Sequence, residues 1–95
     1  MPTTITQIDD SSAGQTTLKV KGEMSIEDAR LLEHIGDDIR SETGHQIRID
    51  LADLDFLDSD SAPFLKRLEA RDGFKIEGIE IFLQTLIDRV ERHEY

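Results

Sequence analysis

Cysteine is absent from the sequence, and so is tryptophan. Without thiols the chain can form no disulfide, no thiolate metal site and no cysteine nucleophile, and it needs no oxidising compartment. No uninterrupted hydrophobic run is long enough to span a bilayer, and the N-terminus lacks the basic and apolar regions of a signal peptide. We therefore expect a cytoplasmic protein without membrane insertion.

Positive charge is also scarce, because 21 acidic residues outweigh 11 basic ones and give a formal net charge of −10. A surface of this sign repels phosphate backbones, and no cluster of lysine or arginine offsets it locally. Nucleic acid is therefore not an expected partner, whereas a basic protein surface is compatible. The length and the periodic hydrophobic clusters predict one globular domain over residues 1–95.

The hydrophobic pattern predicts strands that alternate with helices. In chain order, the predicted elements begin with two strands around the turn Ser11–Gly14, a helix from Ser25 to about Gly44 and a strand over His45–Leu51. A helix over Ser61–Asp72, a short strand over Phe74–Ile79 and a final helix follow. The apolar stripe of the final helix consists of Ile79, Phe82, Leu83, Leu86, Ile87 and Val90. This order predicts an α/β fold, with a mixed sheet of about four strands and about three helices packed against it.

The segment Asp58–Ser61 alternates aspartate and serine where the third strand leads into the second helix. Pro63 belongs in the first turn of that helix, which places the cap at Asp60 or nearby, Ser59 at the entrance and Ser61 just inside. A helix N-terminus accepts either a capping side chain or a phosphate. The segment is therefore either a cap with solvated carboxylates or a site at which Ser59 accepts a phosphoryl group.

Catalysis is not expected, because none of the three histidines belongs to a recognisable motif that would activate a serine. The carboxylates before the second helix lack the glycine turn and terminal glutamate of a calcium loop. These carboxylates are Asp53, Asp55, Asp58 and Asp60. We predict a protein that is not an enzyme and that has no catalytic residue, metal or cofactor.

Two stretches of the sequence resemble STAS domains: "LKVKGEMSIEDARLL" is similar to their strand-Gly-Glu-helix opening, and "IRIDLADLDFLDSDS" to their strand, "DL..L.FIDSSG" loop and helix start. The resemblance extends from Leu18 to Val90. In the bacterial anti-sigma factor antagonists of this family, an anti-sigma kinase phosphorylates the first serine after the aspartate and is thereby released. The resemblance implies that Ser59 is this serine and that Asp58 is the preceding aspartate.

The resemblance also implies a docking surface for an anti-sigma factor or serine kinase-type regulator. Its residues would be Gly22, Glu23, Asp58, Ser59, Asp60 and Ser61, with the first turns of the following helix. The usual Ser-Gly of the motif is replaced by Asp60-Ser61, and this extra carboxylate could discourage a kinase or imitate part of the phosphorylated state. The short chain also resembles the small STAS subunit of phospholipid-trafficking ABC transporters, for which the partner would be the ATPase subunit and Ser59 would stay unmodified.

Overall fold

Four strands form a single mixed sheet in the computed structural model, which describes residues 3–80. The elements are β1 (Thr4–Asp10), β2 (Gln15–Met24), α1 (Ile26–Thr43), β3 (Gln46–Leu57), α2 (Ser61–Glu69) and β4 (Phe74–Glu77). The strand order is β1-β2-β3-β4, with β1 antiparallel to β2 and the other pairs parallel. The predicted α/β class and four-stranded mixed sheet are confirmed. The predicted third helix lies outside the described residues, apart from Ile79 and Glu80, which are helical.

The ends of α1 are set by local sequence, as predicted. The Ser25 hydroxyl accepts a hydrogen bond from the Asp28 amide, and the Asp28 carboxylate accepts one from the Ser25 amide, which completes a capping box. At the other end Gly44 adopts the left-handed conformation, and its N–H donates to the Arg40 carbonyl. Ala29 and Leu32 are fully buried against the sheet. This packing fixes the N-terminus of α1 at the end of β2.

Both helices pack on one face of the sheet, because right-handed crossovers between successive parallel strands bring them to the same side. The core lies between this face and the helices. Its buried side chains include Leu18, Val20, Met24, Leu32, Ile47, Ile49, Leu51, Leu54, Leu65 and Leu68. The opposite face carries charged side chains such as Lys19 and Arg48, and Arg48 pairs with Glu77 at 2.9 Å. Only one face of the sheet is therefore covered by α1 and α2.

The predicted ends of three elements were wrong. The short strand that was expected over Phe74–Ile79 ends at Glu77, before a bend at Gly78. The strand that was expected to end at Leu51 continues to Leu57, so most of the expected loop is strand. The register between β2 and β3 shifts between Lys19 and Lys21 and again between Gly22 and Glu23, and these irregularities allow the pairing to continue. The second helix ends at Glu69 rather than at Asp72. Its last buried residue is Leu68, and the residues from Glu69 to Asp72 are exposed.

Two glycines with positive φ provide a test of the packing at the end of β4. Gly44 has φ +75 and open space around its Cα, whereas a Cβ at Gly78 (φ +79) would lie 2.5 Å from the Ala52 backbone nitrogen. We expect Gly44→Ala to lower the free energy of unfolding by about 1 kcal/mol through the left-handed conformation alone. Gly78→Ala should cost about 3 kcal/mol, because steric overlap with the backbone adds to that strain. Urea denaturation measures both values, and equal losses would contradict the close packing at Gly78.

Candidate functional site

The carboxyl ends of β2 and β3 meet at one edge of the sheet. Glu23 pairs with Phe56 in the register, and Met24 pairs with Leu57. The Asp58 amide then donates a hydrogen bond of 3.1 Å to the Met24 carbonyl. This pairing brings Gly22 and Glu23 to the same edge as the predicted segment Asp58–Ser61. Loops at the carboxyl ends of parallel strands are the usual place for binding sites in such sheets.

The Asp58 carboxylate bridges the N-termini of both helices. Its Oδ2 accepts a hydrogen bond of 3.2 Å from the Ile26 amide in α1. Its Oδ1 accepts bonds of 2.9 Å from the Ser61 amide and 2.6 Å from the Ser61 hydroxyl, at the start of α2. Both amides belong to the first residues of a helix, whose N–H groups have no partner within the helix. Asp58 therefore fixes the two helix starts relative to each other and sets the shape of the loop between them.

Asp60 occupies the cap position of α2, as predicted, but its side chain does not cap the helix. Its backbone is helical, with φ −78 and ψ −27, whereas a capping residue normally has an extended backbone. Asp58 supplies the capping oxygen two residues earlier. Asp60 is exposed and directs an additional negative charge to solvent beside Ser59.

The two serines of the segment have opposite environments. Ser61 is fully buried, and its hydroxyl is committed to Asp58. Ser59 is exposed in the turn between β3 and α2, and its hydroxyl has no hydrogen-bond partner within residues 3–80. The Ser59 side chain is therefore accessible from solvent, whereas that of Ser61 is not.

Hydrogen bonds from Ser61, first from its hydroxyl and then from its amide, together with one from the Ile26 amide, hold the pKa of Asp58 below its ordinary value of 3.8. A folded-state pKa below the unfolded value means that the unfolded chain binds a proton first as the pH falls. This contribution to stability is therefore complete above about pH 5 and is lost as the pH falls through the folded pKa.

The urea midpoint should accordingly fall as the pH is lowered from 6 to 3, and the decrease should be smaller in Asp58→Asn. Asparagine keeps the shape of the side chain, but its amide nitrogen cannot accept a hydrogen bond and its charge does not titrate. Asp28, whose pKa is lowered by hydrogen bonds from Ser25 and Thr3, contributes with the same sign in both proteins. Identical pH profiles for the two proteins would contradict the role given to Asp58.

Sequence reasoning missed Phe56, which is 52 % exposed at the end of β3. Phe56 lines a cavity of about 250 Å³ together with residues at the N-terminus of α1. The cavity is lined by Thr3, Glu23, Met24, Ser25, Asp28, Phe56 and Asp58. An aromatic residue within the acidic stretch "DLDFLD" was the available signal, but exposure depends on how β3 is paired. Glu23, Phe56 and Ser59 define what we call the docking edge.

Residues 3–80 hold no group of three histidine or carboxylate side chains arranged to bind a metal ion, and this includes the four carboxylates before α2. His45 lies at the start of β3, at the end of the sheet opposite to Ser59, and its Nδ1 is 3.0 Å from the Thr16 hydroxyl. Neither helix in the described part of the chain is long and apolar enough to cross a membrane.

Comparisons with known proteins bear on the fold of this chain. No protein-family model matches the chain, and no curated protein matches it in sequence. A solved structure described as "Crystal Structure Analysis of Mglu" is similar, with a TM-score of 0.51 and 20% sequence identity. The similarity covers 70% of this chain and 20% of that one, so it involves only about a fifth of the solved protein. At this identity the similarity shows the fold alone.

Proposed function

We propose that this protein is a STAS-type regulatory module of a bacterial signalling pathway, which acts in the cytoplasm by binding another protein and does not itself catalyse a reaction. Its partner is an anti-sigma factor or serine kinase-type regulator. Phosphorylation of Ser59 weakens the binding. The observation that carries this proposal is the exposed Ser59 hydroxyl, presented at a helix N-terminus beside a serine that is fully buried.

The loop geometry supports a switch that changes charge without unfolding the domain. The hydrogen bonds of the Asp58 carboxylate with Ile26 and Ser61 fix the conformation of the loop, and they do not involve the Ser59 side chain. A phosphate on Ser59 would gain from the partial positive charge at the start of α2. It would also lie between Asp58 and Asp60, where like charges repel. The modified edge therefore differs from the unmodified one mainly in charge and hydration.

The docking edge combines an exposed apolar side chain with negatively charged side chains. Phe56 is an exposed aromatic ring, and residues of this type often contribute most to binding at protein interfaces. Glu23 pairs with Phe56 across the two strands, and Gly22 precedes Glu23 on β2. Asp60 adds an exposed carboxylate four residues after Phe56. The net charge of −10 favours a partner with a basic surface at this point.

Affinity capture tests the proposal. The purified chain is used as bait in a lysate of its own organism, and the captured proteins are identified by mass spectrometry, with Phe56→Ala as a matched bait. Recovery of a serine kinase-type regulator by the wild type, reduced by Phe56→Ala, is the expected result. If no such regulator is enriched, or if both baits recover it equally, the proposed partner surface is wrong.

A second function rests on Asp60, whose exposed carboxylate places permanent negative charge beside Ser59. Such a charge fits a module whose binding does not depend on modification. In that case the partner is the ATPase subunit of a phospholipid-trafficking ABC transporter, and the domain is a constitutive accessory subunit. Capture of an ABC ATPase at equal yield by the wild type and by Ser59→Asp would support this alternative over the switch.

A further inference from the structure

The strand β1 lies at one end of the sheet, and within residues 3–80 no other strand pairs with its outer side. Every second residue of an edge strand directs its N–H and C=O groups away from the sheet. Proteins commonly block such an edge with proline, lysine or a β-bulge. The sequence of β1 is TITQIDD, without proline or lysine, and its register with β2 is uninterrupted over seven residues. The outer side of β1 is therefore open to pairing with a further strand.

The register with β2 assigns the side chains of β1 to the two faces of the sheet. Ile5 pairs with the buried Val20 and packs against the core, so the odd-numbered residues lie on the face that α1 and α2 cover. The even-numbered residues lie on the uncovered face. There Thr6 pairs with Lys19, and the Ile8 side chain is 50 % exposed. This β-branched side chain lies beside the open edge, where it can contact a neighbouring strand.

We propose that β1 pairs antiparallel with β1 of a second copy of the chain, about a two-fold axis at Gln7, so that the two sheets join. In this register Thr6 of each copy lies opposite Ile8 of the other, which covers the exposed Ile8 side chain. The main-chain groups of the open edge become paired at the same time. A symmetric pair of identical surfaces is the commonest arrangement of protein dimers.

The acidic end of β1 selects the antiparallel arrangement. A parallel pair in register would place Asp9 and Asp10 directly opposite the same residues of the second copy, where like charges destabilise the pair. In the antiparallel pair the two Asp10 residues are about 20 Å apart, beyond the Debye length of about 10 Å at about 0.1 M salt. Asp10 instead lies opposite Thr4 of the second copy, whose neighbour on β2 is the exposed Lys21. Lys21 and Asp10 are then two strands apart, about 10 Å between their Cα atoms, and their side chains can bridge this separation.

This charge complementarity favours a second copy as the occupant, because the two-fold axis repeats the contact of Lys21 with Asp10 on both sides of Gln7. The net charge of −10 opposes association at long range, and the paired segment is short. We therefore expect a weak dimer, with a dissociation constant of about 10 to 100 μM. Sedimentation equilibrium between about 5 μM and about 1 mM should show monomer and dimer in proportions that change with concentration. A monomer throughout this range, or an assembly larger than a dimer, would overturn the proposal.

The antiparallel pairing keeps the two docking edges apart. Thr4 pairs with Lys21 and therefore lies near the same end of the sheet as Glu23. The two Thr4 residues lie at opposite ends of the paired strands. The two docking edges consequently lie at opposite ends of the dimer, which can bind two partners. This consequence rests on the proposed function, whereas the pairing of β1 and its tests do not involve Ser59.

Substitutions at Ile8 separate local pairing from net charge. In the proposed register Ile8 lies opposite Thr6 of the second copy, and Lys19 is the next side chain across that sheet. Ile8→Lys and Ile8→Glu remove the same apolar contact, but the lysine faces a like charge and the glutamate an opposite one. We expect the dissociation constant of the Ile8→Lys dimer to be at least about tenfold higher than that of the Ile8→Glu dimer. Repulsion between whole chains gives the reverse order, because lysine lowers the negative charge and glutamate raises it; equal constants or the reverse order would overturn the proposal.

Cysteine cross-linking tests the register itself. The sequence has no cysteine, so one substitution provides one thiol per chain. Gln7→Cys places two thiols opposite each other at the axis, with Cα atoms about 5 Å apart, which suits a disulfide. Oxidation with copper phenanthroline should therefore convert Gln7→Cys into a covalent dimer. Asp10→Cys should not cross-link alone, but it should cross-link in a mixture with Thr4→Cys. Failure of Gln7→Cys to cross-link, or equally rapid cross-linking of Asp10→Cys alone, would overturn the proposal.

Discussion

Replacing Ser59 with aspartate is expected to weaken binding to the kinase-type regulator at least about tenfold, which corresponds to about 1.4 kcal/mol. The unmodified docking edge presents the neutral Ser59 hydroxyl, which loses little hydration free energy when a partner covers it. A carboxylate at the same position must lose its hydration when the interface closes, and it adds to the negative charge of Asp58 and Asp60. Calorimetric titration of the regulator with each protein gives the two dissociation constants.

Ser41→Asp is the matched control for this substitution. Ser41 is exposed near the C-terminal end of α1, whereas the docking edge adjoins the N-terminal end of that helix. The control introduces the same charge and should leave the affinity within about twofold of the wild type, because exposed charges separated by more than a Debye length are screened. If both variants weaken binding equally, the net charge of the protein controls the affinity, and a charge at position 59 has no larger effect than one at position 41.

Replacing Phe56 with alanine in the otherwise wild-type protein is expected to weaken binding to the regulator by about 10- to 100-fold, which is the range for an anchoring aromatic residue. The ring is half-exposed in the free protein, and in the proposed complex it would be covered. The free energy of unfolding should therefore change by less than about 1 kcal/mol, far below the cost of truncating a buried phenylalanine. Separate measurements of affinity and of urea denaturation distinguish a lost contact from a lost fold.

Leu31→Ala is the control for an exposed apolar side chain. Leu31 is 49 % exposed on α1, nearly the same fraction as Phe56, but it is not part of the docking edge. Its truncation should leave the dissociation constant unchanged. An equal loss of affinity in both variants would place α1 in the interface and contradict a surface centred on Phe56.

Local sequence predicted the features that depend on neighbouring residues. The capping box of Ser25 and Asp28, the stop at Gly44 and the hairpin around Ser11–Gly14 all involve contacts within a few positions. Such contacts are determined by the residue types themselves, through side-chain caps and left-handed glycine. The alternation of strands and helices also predicted the α/β class and the mixed sheet, because helical crossovers between successive strands lead to parallel pairing.

Features that depend on distant pairing could not be predicted in the same way. The extension of β3 to Leu57 requires the irregular register with β2, and the partner of each β3 residue is 31 to 33 positions earlier in the chain. The bridge from Asp58 to Ile26 likewise joins residues separated by 32 positions. From sequence alone, Asp60 had the features of a cap, and nothing local indicated that Asp58 performs that role. The exposure of Phe56 follows from the same pairing.

The cap and the phosphorylation site, which were alternatives for the segment Asp58–Ser61, involve different residues of that segment. Asp58 and the buried Ser61 form the cap, and they hold the loop that presents Ser59. The resemblance to STAS domains selected Ser59 over Ser61 by position in the motif. The burial of Ser61 gives an independent, steric reason for the same choice. The effect of Asp60 on modification stays a prediction.

Phosphate mapping tests the central proposal most directly. The wild type, Ser59→Ala and Ser61→Ala are incubated with the kinase-type regulator and ATP, and intact-mass and fragment spectra are recorded. We predict one phosphate on the wild type, located on Ser59, retained in Ser61→Ala and absent from Ser59→Ala. An unmodified wild type, or a phosphate that persists in Ser59→Ala, would contradict the proposed switch.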